Sequence, residues 1–107
     1  MPTYNKLVRD KIPQIIENTG KKFSTKILID QDYIKYLKEK SYEELDEYCA
    51  AESNEEAVEE LADLLEIIQA LAKHHGSSIQ EVEAARKEKA EKRGGFEEKI
   101  FLIEVED

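Results

Sequence analysis

At 107 residues and a formal net charge of −9, the chain is long enough for one small domain, and its sign argues against a nucleic-acid backbone or an anionic membrane as partner. Its single cysteine, Cys49, rules out an internal disulfide, and no apolar run approaches the roughly 18 residues of a membrane span. With no signal-like stretch in view, a reducing cytoplasm is the expected compartment. Charged residues are 38% of the chain, but they interleave with periodic apolar positions, which points to helices with solvated faces rather than disorder. A domain of this size buries only about two thirds of its unfolded surface, so association into a dimer or tetramer would be a natural way to bury more. A single anionic nucleotide stays compatible with the charge, provided that metal ions bridge carboxylates to phosphates.

The opening YNKLVRDKIPQIIENTG is irregular and then helical over about Asp10–Asn18, with Pro13 suited to the first turn and Gly20 to the stop. Lys6, Arg9 and Lys11 set three cations ahead of that helix in an acidic protein; they read either as a solvated basic start or as a phosphate-facing patch. KFSTKILI at Lys22–Ile29 alternates Phe23, Thr25, Ile27 and Ile29 on one side and reads as a strand, as does KIFLIEV at Lys99–Val105. Two lone strands are expected to pair, within or between chains, or else to lie as extended arms on the helices.

Asp30 is placed to N-cap a long helix reaching about Ala51, with Ile34, Leu37, Leu45 and Tyr48 centring its apolar face. Glu44 falls inside that face and Glu47 further round the same side. A carboxylate there is costly to bury alone and needs either a cation such as Lys40 or a metal. The next helix, Glu55–Gly76, has a broad apolar face of Ala57, Val58, Leu61, Leu64, Leu65, Ile68, Leu71 and Ala72. Beside it Glu56, Glu60 and Asp63 share a narrow arc that Ile67 continues, a stack of like charges that a hard cation would relieve. Ser53 with Glu56 makes a capping box, which gives Glu56 a competing task. His74 and His75 suit the negative end of the helix dipole, and Gly76 stops the helix. Ser78 with Glu81 opens a last helix, IQEVEAARKEKAEKR, which Gly94-Gly95 breaks before an acidic tail.

The short link Ala51–Ser53 makes the two long helices antiparallel neighbours. E-x-x-E at Glu44 and Glu47 then faces E-x-x-D at Glu60 and Asp63, four oxygen donors with no histidine or cysteine among them. That donor set suits Mg²⁺ or Mn²⁺ better than zinc, and such an ion takes substrate phosphates into its shell. A di-iron bundle would need Glu-x-x-His, and Leu71 and Ala72 stand three before His74 and His75.

YNKLVRDKIPQII, EELDEY, EEAVEELADLLEIIQALAKHHG and EKAEKRGGFEEKIFL resemble the MazG-like, phosphoribosyl-ATP pyrophosphohydrolase-like group of all-α nucleotide pyrophosphohydrolases over nearly the whole chain. The resemblance implies a small, mainly α helical bundle of the all-α NTP pyrophosphatase type, here with two short β-strands, assembled as a homodimer or homotetramer. It implies Mg²⁺-dependent hydrolysis of a nucleoside triphosphate between the α and β phosphorus atoms, with Glu44, Glu47, Glu60 and Asp63 as metal-binding and catalytic carboxylates. It also makes Lys6, Arg9, Lys11 and Arg93 candidates for phosphate contact. Arg93-Gly94-Gly95-Phe96 reads either as a backbone approach to the nucleotide or as a plain helix stop. Two alternatives stand beside this reading: the phosphoribosyl-ATP step of histidine synthesis, and a non-catalytic helical oligomerisation or interaction module.

Overall fold

The computed structural model describes residues 2–107. Its elements in chain order are α1 (Ile12–Asn18), α2 (Asp30–Cys49), α3 (Asn54–His74) and α4 (Ile79–Arg93). The mainly helical fold expected from the periodicity is the fold observed.

Each helix starts and stops for a local reason. Pro13 stands in the first turn of α1, where its missing N–H leaves no helix bond unmade. α3 opens on the expected box: Ser53 Oγ accepts from the Glu56 N–H at 3.1 Å, and Glu56 Oε2 accepts from the Glu52 N–H at 3.0 Å. Ser78 repeats the cap on α4, its Oγ accepting from the Glu81 N–H at 3.1 Å. α3 ends with Gly76 at φ +73°, in the left-handed region that frees the next N–H, of Ser77, to reach back to the Ala72 carbonyl at 2.9 Å. Asp30 departs from expectation in one detail. It is the first residue of α2 rather than its cap, and Ile29 holds the cap position with no side-chain bond.

α2 and α3 form the antiparallel pair at the centre, and α4 packs against α3. Across the far end of the pair, the Tyr33 and His74 rings meet edge to face at 6.4 Å. The buried residues are few: Leu37 and Glu44 on α2, Ile67 and Ala72 on α3.

In this core the acid-bearing sides of the two long helices face one another. The arc of α3 turned to α2 is the acid arc, Glu60 followed by Ile67, and not the centre of the broad apolar face. Val58, Leu61 and Leu65 are 65%, 47% and 55% exposed, and on α2 Leu45 and Tyr48 also look outward. The apolar stripe is wider than one neighbouring helix can cover. α2 takes one edge, α4 reaches Leu65 and Ile68 with Ile79 and Val82, and the rest faces solvent.

The two expected strands are also corrected. Among the described residues there is no strand; 22–29 and 99–105 are irregular, and most of their apolar side chains face solvent, with Leu28 half-buried. A ladder needs a partner edge, and neither segment has one here. The molecule is accordingly long, 61 × 36 × 27 Å, with a radius of gyration of 18.3 Å. A compact chain of this length would have about 13 Å.

Candidate metal centre

Glu44 and Glu47 are three residues apart on α2 and project to one side of it, toward α3. Glu60 answers them from α3. One carboxylate oxygen from each of Glu44, Glu47 and Glu60 lies within 4.8 Å of the other two, an arrangement that can hold a metal ion. Glu47 is exposed, Glu60 is half-buried and Glu44 is only 7% exposed.

Glu44 is the unusual member. Its Oε2 and that of Glu60 are closed off from solvent, and neither receives a hydrogen bond. Lys40, the cation one turn before Glu44, reaches Glu43 instead at 3.7 Å. Burial pushes the Glu44 carboxyl up from its ordinary 4.5 to about 7, and the neighbouring carboxyls of Glu60, Glu47 and Asp63 push the same way. Glu60 is raised too, chiefly by the Glu47 carboxyl beside it. Three acids facing one another with no donor between them can be relieved either by a shared proton or by a cation, and both act on the same oxygens.

The fourth expected carboxylate stands at the edge of this group. Asp63 is bound by Arg9, whose guanidinium lies 2.7 Å from Oδ1. The contact spans 54 positions in sequence and ties the irregular N-terminal segment to α3; Leu7 and Val8, half-buried, lead Arg9 in. Of the expected basic residues, Arg9 alone is brought to the carboxylates. Lys6 is exposed with its ammonium 5.9 Å from the Tyr4 ring centroid, Lys11 precedes α1, and Arg93 ends α4. Among the described residues these three make no ion pair. Glu56 serves the helix cap, as its competing task suggested. The Arg9–Asp63 pairing was not anticipated; the only sign of it in the sequence is an arginine ahead of the first helix of an acidic protein.

The site reaches solvent at Glu47, which is exposed. Two surface hollows lie elsewhere, one at the α2–α3 turn around Tyr48 and Ser53, the other between α3 and α4.

The chain matches no family model, no curated protein and no solved structure. Its function is therefore read from the carboxylate geometry and the motifs.

Proposed function

We propose that the chain is a Mg²⁺-dependent nucleotide pyrophosphohydrolase, cleaving a nucleoside triphosphate between its α and β phosphorus atoms to a monophosphate and pyrophosphate. The observation that supports it most is Glu44: more than nine-tenths buried, with an oxygen that has no hydrogen-bond donor and lies among the carboxylates of Glu47 and Glu60. An unpaired carboxylate in that position is a standing cost, and a hard divalent cation offsets it with the donor type present.

Glu44, Glu47 and Glu60 would hold the ion, and Asp63 would join them once Arg9 moves away. When bound, Mg²⁺ neutralises phosphate charge and makes a water molecule a better nucleophile. Glu47, the exposed member of the group, would be the carboxylate best placed to accept a proton from an attacking water. Arg9, released from Asp63, is a fork-shaped donor suited to phosphate oxygens, and Lys6 and Lys11 flank it in sequence. Arg93 sits before Gly94-Gly95, where a backbone free of side chains permits close approach.

We read the functional unit as a homodimer or homotetramer. The single chain exposes 10042 Å², whereas a compact monomer of 12.4 kDa exposes about 6,100 Å². That difference is several times the roughly 800 Å² that each partner contributes to a standard interface. A second reading, an interaction module without turnover, draws on the same apolar exposure at Val58, Leu61 and Leu65. The three facing carboxylates, with Asp63 at their edge, favour the enzyme.

A panel of nucleoside triphosphates with pyrophosphate detection, run with and without Mg²⁺, tests this. Release only with the metal, lost in Glu44→Ala and Asp63→Ala, is expected. Metal-dependent release surviving both substitutions would reject the site. No release from any triphosphate, in a chain that binds no divalent cation, would favour the module.

A further inference from the structure

We propose that residues 24–29 of one copy pair with residues 101–106 of a second copy as an antiparallel two-stranded ribbon, so that two chains exchange their arms. The inference goes beyond the enzymatic reading and rests only on association of the chain with itself.

Both arms carry large apolar side chains in full view of solvent: Ile27 is 97% exposed, Phe101 88% and Ile103 84%. Within both segments the backbone is almost without hydrogen bonds, the exceptions lying at their ends, where the Ile29 carbonyl accepts from Tyr33 and the Lys99 N–H donates to Phe96. Exposed apolar groups and free backbone donors on an extended segment are what an added strand covers.

The arms are opposite in charge. The stretch 21–29 has Lys21, Lys22 and Lys26 and no acid, while 96–107 has Glu97, Glu98, Glu104, Glu106 and Asp107 against Lys99 alone. One antiparallel register satisfies apolar and charged positions together. With Ile27 opposite Ile103, Ile29 meets Phe101, Leu28 meets Leu102, Thr25 meets Val105, and Lys26 stands opposite Glu104. A shift by one residue keeps apolar pairs such as Ile27 with Leu102 but sets Lys26 against Ile103 and Thr25 against Glu104, so the Lys26–Glu104 pair is what distinguishes the register.

Chain geometry favours pairing between copies. The first arm joins α2 beside Tyr33, at the end of the pair where His74 closes α3. From that end α4 folds back along α3, and its 15 residues carry the root of the second arm about 22 Å away. In a two-fold dimer each arm meets its complement on the other copy, so both arms are used and the assembly closes. A ribbon alone is marginal, but its Phe23, Ile27 and Phe101 side has the exposed apolar face of α3 to pack on.

Thiol cross-linking of the full chain in a Cys49→Ser background tests the register. Two differently tagged chains, one with Ile27→Cys and one with Ile103→Cys, are mixed and treated with a short bismaleimide. A covalent heterodimer is the expected product. A double-cysteine chain that cross-links only within itself would overturn the proposal in favour of intrachain pairing, and no cross-link in either experiment would overturn it outright. Charge reversal keeps the test independent of the cysteines. Lys26→Glu and Glu104→Lys should each raise the dimer dissociation constant roughly two- to thirtyfold, for two cross-strand pairs per dimer, and the double reversal should restore it. Dimerisation unaffected by either single reversal, or by deletion of residues 99–107, would leave the homodimer standing and reject arm exchange. A wild-type chain that is monomeric by light scattering would reject both.

Discussion

Glu44 occupies a position on α2 that an apolar side chain would fill at lower cost, between two other glutamates and away from Lys40. Its carboxyl is raised by burial to about 7, so the folded chain binds the proton more tightly than the unfolded one, whose value is the ordinary 4.5. The stability that this proton contributes is complete below pH 4.5 and is lost as pH rises through about 7, an effect of up to about 3 kcal/mol in the metal-free protein. Thermal melts of metal-free wild type should therefore fall between those limits, and Glu44→Gln, which keeps the shape and removes the charge, should flatten the fall and melt higher at the alkaline end. A Glu44→Gln protein as pH-sensitive as wild type would show that Glu44 is not the strained group. Arg9 gives a second test at this scale. Its ion pair with Asp63 is solvent-exposed, a kind worth about 0.2–1 kcal/mol, so Arg9→Ala should barely change the melting temperature. Freed of that pair, Asp63 becomes available to the ion, and Mn²⁺ affinity should rise by up to about fivefold. A fall in affinity would mean that Arg9 supports the metal site rather than competing with it.

Among the elements, the antiparallel pair α2 and α3 sets the site, because Glu44 and Glu47 come from one helix and Glu60 from the other. Its register depends on the turn at Ala50–Ser53 and on the Ser53 cap. Ser53→Ala should cost about 1 kcal/mol by chemical denaturation and weaken cation binding with it; an unchanged midpoint would show that tertiary packing alone holds the start of α3. Helix positions, both serine caps and the grouping of Glu44, Glu47 and Glu60 were legible in the sequence because they follow from spacing along one chain segment. Glu44 in particular was marked by its place on an apolar face. How α3 shares its apolar face among its neighbours was not legible. Its apolar stripe runs from Leu64 to Val58, and nothing local decides which edge meets which neighbour. Strand character in 22–29 and 99–105 was read from alternation, but a ladder is a relation between two segments, and the single chain does not bring them together. Nor does local pattern announce a contact such as Arg9 with Asp63.

Considered whole, the molecule has an extended outline, 61 × 36 × 27 Å. Val58, Leu61 and Leu65 are exposed on the side of α3 away from the acids, and the proposed assembly would pack there. Leu61→Glu should thus leave the single helix pair folded by circular dichroism while lowering the mass found by light scattering to that of one chain; an assembly indifferent to this charge would have its interface elsewhere. The proposed cation site lies where the two helices of the pair meet, and the most direct measurement is a calorimetric titration of Mn²⁺ into wild type and Glu44→Gln at mildly alkaline pH. Saturable binding by wild type, weakened at least about tenfold in Glu44→Gln, corresponds to the loss of at least about 1.4 kcal/mol from one carboxylate ligand and is the expected result. Absence of saturable binding in wild type, or equal affinity in the two proteins, would contradict a metal centre at Glu44, Glu47 and Glu60.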